Sequence, residues 1–416
     1  MPSHDCDLLV LGAGPAGLAA AWQAARRGLA VTVLERAARV GGLSASFEVA
    51  GQRVDLGSHR LHPSTDARVL ADIAELLGPD LQLRPRHGRL RLAGRWVGFP
   101  LRPVELARAL PPRLAAAIVR DALTAPLRRA REETYAAYLR AGLGPAVYDE
   151  LYDPFARKLW GLPGERIHAD QARVRVSADS PAKVAARLLR GGRAGRGTEQ
   201  GRMFFYPARG FGQVSEAVAA AAAGAGADVR LGAEVARLAA RPGTVEVRLA
   251  DGAILRAPLC FSTLPVTALA GLAGRPAADP LRLRAMVLVY LVHGGERWTP
   301  YDAHYLPSGA TPVTRLSEPK NYRDSPDDPS ERSVVCAEIP CDVGDQVWGA
   351  ADARLVQLVQ RTLRDADLPP VRLTGSTVVR LPAVYPVFDL GYRQRLAATA
   401  GVPGVVSFGR LGLFAH

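Results

Sequence analysis

Three glycines spaced as Gly12-x-Gly14-x-x-Gly17 follow the short apolar run Leu8–Leu11 and open an alanine-rich stretch. Each has a separate task in a turn that meets a phosphate. Gly12 makes the turn tight, Gly14 lets the backbone approach a pyrophosphate, and Gly17 lets helix and strand pack closely. Pro15 and Ala16 stand in the first helical turn, where proline's missing N–H costs nothing. Free N–H groups and the positive dipole end there favour an anion. Glu35 closes the next apolar run. Its carboxylate can accept both hydroxyls of an adenosine ribose and repels a 2′-phosphate, which argues against NADP. Strand, turn, helix, strand and acid together predict a dinucleotide site; the competing reading is a glycine turn in a purely structural unit.

The glycines do not choose between FAD and NAD. The next residues help: Glu35-Arg36 leads through a short spacer to Gly41-Gly42-Leu43, then Asp55-Leu56-Gly57-Ser58-His59. A second glycine pair returns backbone N–H groups to the phosphates, as a long extended cofactor requires. His59 is a candidate donor or proton carrier; its alternative is a histidine that only bonds backbone. His59 and His62 lack a third ligand, so no metal is expected.

Basic charge is carried almost wholly by arginine, with lysine only at 158, 183 and 320. Lys158 (in KLWG) and Lys320 (in EPKN) are candidate catalytic groups, because an ammonium is a compact donor whose pKa shifts readily on burial. Chance survival is the competing explanation. Trp160, Tyr206, Phe211 and Tyr385 are candidates to line a substrate cleft, with Tyr385 also a candidate catalytic group; core packing is as good a reading. Arg173, Arg209 and Arg315 are candidates to grip a carboxylate or phosphate in bidentate fashion.

These residues need a scaffold. Pro15 to Arg27 reads as a helix capped by Gly28, and Ala30–Leu34 as the second strand of a βαβ unit. Val104–Leu110, Arg113–Thr124 and Glu132–Leu143 read as helices. Residues 187–202 are Gly/Arg-rich and read as a surface loop. Gly212–Ala223 is helical, and Val229–Leu231 extended. Val235–Ala240, Val245–Leu249 and Ile254–Ala257 alternate around Pro242-Gly243 and Asp251-Gly252, the signature of a β-meander. It leads into the strand Leu259–Thr263. Residues 281–293 and 332–340 read as strands of another sheet, Leu355–Ala366 as a helix, and Val405–Phe408 as a strand before the turn Gly409–Gly412.

The 416 residues suit two packed domains, and 48% hydrophobic with 22% charged residues describes an ordinary globular chain. A net charge of +13 invites nucleic acid. The arginines are scattered and aromatic residues are only 6%, so no base-stacking platform is expected. An anionic small substrate or a membrane surface is the preferred partner; the arginine-bearing stretch 104–129 is the candidate for peripheral membrane contact, against packing inside the protein. No apolar run reaches the ~18 residues of a membrane span, and no signal peptide is visible, so a cytoplasmic location is expected. Cys6, Cys260, Cys336 and Cys341 read as buried thiols. Nothing indicates oligomeric state.

Residues 5–59 resemble the amino-terminal signature of the FAD-dependent amine oxidase, protoporphyrinogen oxidase and phytoene desaturase superfamily, with glycine turn, acid, Gly-Gly pair and D-x-G-x-H in that order. Asp153-Pro154-Phe155 through Lys158-Leu159-Trp160-Gly161 is similar to a stretch of UDP-galactopyranose mutases. Tyr206-Pro207 through Gly210-Phe211-Gly212-Gln213, Ser262-Thr263-Leu264-Pro265, Tyr385-Pro386-Val387-Phe388 and Gly409-Arg410-Leu411-Gly412-Leu413-Phe414 resemble later landmarks of the superfamily. The resemblance implies FAD as cofactor. It implies an α/β fold: a Rossmann-like FAD-binding domain (parallel sheet plus β-meander) from 1-85, 205-275 and 395-416, and an inserted mixed α/β substrate-binding domain from 86-204 and 276-394 with a helical segment. Val235 would meet the adenine side through its backbone; Gly57, Ser58, His59, Gly409, Arg410 and Leu411 would lie near the flavin ring and ribityl chain. Relatives continue past the last turn into a helix facing the cofactor, whereas this sequence stops at His416. The strand end is therefore expected to fray and to hold FAD less tightly. The implied activity is oxidation of a small organic substrate by hydride transfer to flavin. The alternatives are a redox-neutral sugar-nucleotide mutase and a non-catalytic flavin-binding protein.

Overall fold

The computed structural model describes residues 4–100, 108–125, 128, 133–175 and 202–416. Most of the expected Val104–Leu110 helix, the start of Glu132–Leu143, and the 187–202 segment except Arg202 lie outside the described residues.

A five-stranded parallel sheet runs in the order Val405–Ser407, Leu259–Ser262, Leu8–Leu11, Val31–Glu35, Asp228–Leu231. Leu8–Leu11 is buried on both faces, as a central parallel strand without polar residues must be. On one face Val10 and Val33 meet Leu18 and Ala21 of the helix Pro15–Ala25 and Val218 and Ala222 of the helix Gly212–Gly224. On the other, Leu9, Leu11 and Cys260 meet Val245, Val247 and Leu255 of the antiparallel meander Val235–Arg241, Thr244–Leu249, Ile254–Ala257. The turns at Gly243 and Gly252 have φ of +73° and +91°, the left-handed region that glycine enters without steric cost.

A seven-stranded sheet runs Leu373–Pro386, Leu283–His293, Ser333–Cys341, Arg315–Ser317, Ala303–Tyr305, Gly88–Leu92, Arg95–Phe99. All its pairs are antiparallel except Ala303–Tyr305 with Gly88–Leu92. Residues 281–293 and 332–340 are strands of this sheet, as expected; Leu373–Pro386 is broken in sequence by Gly375 and Pro382, and the short hairpin strands at 88–99 by three arginines, so neither stands out as a strand. The alternation of the central strand decides what each face meets. Val287, Val289 and Leu291 pack under the helix Asp352–Asp365 with Leu355, Val359 and Leu363. Met286, Leu288, Tyr290 and Val292 face Leu43, Phe47, Val54 and Leu56. The second face joins the sheet to the segment that follows the nucleotide turn.

The helices Tyr135–Leu143 and Asp153–Trp160 bury Tyr135, Leu139, Leu159 and Trp160 in a separate cluster. In the helix Pro112–Leu123 only Asp121 is buried, and Leu123 is 77% exposed. Among the described residues no helix is long and apolar enough to cross a membrane. All four cysteines are free and buried. The expected fraying of the last residues is not seen: Phe414 packs against Phe388, Tyr392 and Val266, and His416 bonds the Pro386 carbonyl (2.8 Å).

Candidate active site

The nucleotide end is built from backbone. Gly12 has φ +99°, and a Cβ there would lie 2.4 Å from Thr263 Oγ1. A Cβ on Gly17 would lie 2.0 Å from the Gly12 carbonyl oxygen, so only glycine lets this helix start so close to its strand. Around Gly14, by contrast, a Cβ would meet nothing within 4 Å. That open flank lies at the helix start, where the Ala16 and Gly17 amides have no partner within their own helix. Glu35 faces this turn: it accepts from the Ala13 amide (2.9 Å) and the Ala37 amide (2.9 Å). The Gly41 amide donates to Ala13 O (2.8 Å), and the Gly42 Cβ position lies 3.5 Å from Gly14 Cα. The second glycine pair thus closes over the first. Ala233 N–H donates to Glu35 O (2.8 Å), which starts the Val235 strand beside the acid. Arg36 is exposed and points to no partner among the described residues.

The other end is a cleft of side chains. Leu43, Leu56, Gly57, Ser58, His59, Met286, Leu288, Arg315, Glu338, Leu381, Val384, Tyr385 and Arg410 line it. Gly409 presses on the first helix, its Cβ position 3.3 Å from Ala16 Cβ, and the short turn Gly409–Gly412 carries Arg410 into the cleft and Leu411 beside it. Arg410 donates to Val384 O and lies over the Tyr385 ring at 5.6 Å. Arg315 forms a bidentate pair with Glu338 (2.6 and 2.8 Å), and Glu338 also accepts the Ser58 amide (2.9 Å). Burial disfavours the Arg315 charge, but Glu338 beside it holds the guanidinium well above its ordinary range.

His59 is half-buried and stacks on Phe211 at 5.4 Å. Burial pushes its pKa down to about 4, with Arg315 and Arg410 adding to the effect and Glu338 opposing it. The imidazole is neutral at physiological pH. Its Nδ1 is buried without a hydrogen-bond partner among the described residues.

Asp55 supports this loop from below. It is 1% exposed and accepts from Tyr206 (2.6 Å), Ser46 (2.6 Å) and the Phe211 amide (2.9 Å), while its carbonyl accepts from Tyr290 (2.6 Å). Burial raises its pKa, and these donors and Arg323 oppose the rise. Tyr206 therefore positions the loop; fully buried, it lines no cleft.

The remaining candidates part company with the site. Lys320 is not in the cleft: its ammonium is held by the carbonyls of Glu296 (2.9 Å), Pro329 and Arg332 (3.3 Å). Lys158 binds the carbonyls of Leu306 and Ser308 (2.9 Å), and burial lowers its pKa to about 7. Trp160 is core, edge-on to Tyr135 at 5.2 Å. Arg173 pairs with Asp170 (2.9 Å) and Arg209 with Asp327 (3.3 Å) on the surface. Arg315 reaches the cleft, but as the partner of Glu338. Sequence reasoning missed Glu338, whose signal was an acid in the middle of the otherwise uncharged, fully buried strand Ser333–Cys341.

A flavin dinucleotide fits this arrangement. The open flank of Gly14 and the first helix amides suit a diphosphate, Glu35 a ribose, and the apolar walls with the unpartnered His59 Nδ1 a flat ring with polar edges. The family model for flavin containing amine oxidoreductases matches residues 15–406. The chain belongs to that family. Membership brings a flavin cofactor, FAD, with it.

A Mycobacterium tuberculosis protein, AofH, that carries the name of a flavin-containing monoamine oxidase is 41% identical over 97 residues, 23% of this chain. The match spans only 20% of that relative's length. Reduced UDP-galactopyranose mutase superposes with a TM-score of 0.81 at 18% identity, covering 98% of this chain and 90% of the other. A protein of Exiguobacterium sp. 255-15, named as a candidate protoporphyrinogen oxidase, superposes with a TM-score of 0.74 at 17% identity, covering 99% and 94%. At such identities these structures establish the shared Rossmann-like FAD-binding fold.

Proposed function

We propose that the protein oxidises a small organic anion, with FAD as the hydride acceptor. When bound, FAD supplies the electron sink. The chain's own residues bind, orient and exclude water. The observation that carries the substrate class is the charge of the cleft: two guanidiniums, Arg315 and Arg410, line it with a single carboxylate, Glu338, and that carboxylate is already paired. An ammonium substrate would meet two guanidiniums in a part-desolvated site, whereas a carboxylate or phosphate is attracted to them. Neutral His59 can accept or donate a proton through its unpartnered Nδ1 without adding charge.

The test is anaerobic mixing of the flavin-loaded protein with carboxylates, phosphates and amines of matched size, following the visible flavin band. Bleaching by an anion at rates well above those of the amines is the expected result. Bleaching by amines alone sinks the anionic reading.

The likeness to UDP-galactopyranose mutase supports a second reading, a redox-neutral rearrangement of a sugar nucleotide. It is distinguished by turnover that begins only after dithionite reduction. In the stretch that resembles the mutases, Trp160 is packed in the helical cluster and Lys158 is bound by the carbonyls of Leu306 and Ser308, so neither weighs for it.

A further inference from the structure

A cavity of about 910 Å³ opens beyond the flavin-side cleft, lined by Arg86, Arg89, Arg202, Trp96, Phe99 and Tyr301 among others. It is reached along one short segment. His59 lines the cleft and Pro63 lines the cavity. Their Cα atoms are separated by at most about 14 Å, the reach of four extended residues. Between them Arg60 is fixed in place by Asp302 (3.1 Å) and by the rings of Phe204 and Tyr322 (4.9 Å each).

Among the described residues, Arg86 and Arg89 of the cavity form no ion pair at hydrogen-bond distance. Arg89 lies over Trp96 at 5.1 Å and Tyr301 at 4.7 Å, which engages the faces of its guanidinium. No ion pair or side-chain hydrogen bond occupies its N–H edge among the described residues. Arg86 likewise has no acidic hydrogen-bond partner there, and its Nε is buried and unsatisfied. Burial and the charge of Arg60 weaken its hold on a proton, and Tyr305 and Asp302 partly oppose this. Arg202 is exposed at the rim. Trp96 is fixed by its own bond to the Ala366 carbonyl (2.8 Å), and His87 lies tilted against Tyr301 at 4.7 Å. Unpaired cations are costly next to low-dielectric walls, and an anionic ligand relieves that cost. The aromatic walls select what the anion is attached to.

We propose that this cavity binds an organic anion with a flat aromatic body, its phosphate or carboxylate held by Arg86, Arg89 and Arg202 and its ring against Trp96, Phe99 and Tyr301. The proposal deepens the anionic-substrate reading and rests on it, since it names the anchoring site and the shape of the substrate's non-reacting end.

Calorimetric titration of the flavin-loaded protein with naphthyl phosphate, naphthol and inorganic phosphate tests it. Naphthyl phosphate is expected to bind at least about tenfold more tightly than either fragment, because charge-assisted hydrogen bonds and ring contacts both contribute. Its affinity should fall with added salt. Arg89→Gln should weaken it about tenfold or more. Arg202→Gln, at an exposed position that folding does not depend on, should weaken it by a smaller factor. Naphthol binding as tightly as naphthyl phosphate overturns the proposal, as do unchanged affinity in both variants or no binding at all. Loss of binding with the flavin band intact refutes this site alone. A protein that binds naphthyl phosphate while only amines bleach its flavin refutes the substrate reading instead.

Discussion

The two ends of the cofactor site are built on different principles. At the Gly12–Gly17 turn the working groups are backbone amides, and side chains matter by their absence. A missing Cβ at Gly17 admits the helix, and a missing Cβ at Gly14 leaves room for the ligand. At the His59 cleft the working groups are side chains drawn from residues 43, 56–59, 286–288, 315, 338, 381–385 and 410. The first end is local and tolerates nothing larger than hydrogen at one position. The second is assembled at long range and is held by buried charge pairs. Substitutions should therefore fail differently at the two ends.

The largest effect is expected at Gly17. Gly17→Val forces a side chain onto the Gly12 carbonyl and should abolish soluble folded protein, read by expression and circular dichroism. A folded variant with bound flavin would break the account of the turn.

At the other end, Glu338→Ala leaves Arg315 buried without its partner. A loss of about 3–5 kcal/mol in unfolding free energy is expected, since an unpaired buried charge is costly. A loss near zero would show that solvent already screens the pair.

Acid should strike the side-chain end next. His59 in the cleft, and outside it His304 of the strand Ala303–Tyr305, buried against Trp96 and Trp298, have their pKa lowered to about 4 and about 3, both mainly by burial. Their unfolded values lie near ~6.5. Above that, both states are neutral and stability is at its full value. As pH falls toward 4 the unfolded chain takes up protons that the folded one refuses, so stability drops, on the order of 3 kcal/mol per histidine at most. Melting temperature should fall as pH is lowered through this window, and His304→Phe should make the fall shallower.

A smaller effect is expected beneath the cleft. Tyr206→Phe removes one donor from buried Asp55 and should cost about 1–3 kcal/mol. It should also shift the His59 loop enough to change the flavin band. A variant that lost stability with an unchanged band would separate support of the fold from support of the site.

This contrast explains what was legible in the sequence. The glycine spacing, Glu35, the second glycine pair and the meander were readable because each acts through local backbone geometry, and the parallel strands announced themselves as unbroken apolar runs. The cleft was only half readable. His59, Tyr385 and Arg410 were found through their motifs, but the role of Arg315 depends on Glu338, 23 residues away in sequence and on a neighbouring strand. The surviving lysines misled for a physical reason: a buried ammonium needs acceptors, and Lys320 found three carbonyls far from the cleft. Tyr206 and Trp160 were chosen as aromatic, and burial made them core.

The smallest structural perturbation carries the sharpest test. Gly14 has an ordinary φ of −74°, and a methyl there meets no protein atom. Gly14→Ala should leave the melting of the flavin-stripped protein within about 0.5 kcal/mol of the parent. The methyl nevertheless projects where the diphosphate must approach. The decisive measurement is the FAD dissociation constant of the parent and of Gly14→Ala. The account predicts tight, stoichiometric FAD in the parent and a loss of about a hundredfold or more in the variant, at unchanged apo stability. Equal affinity in the two proteins would contradict it.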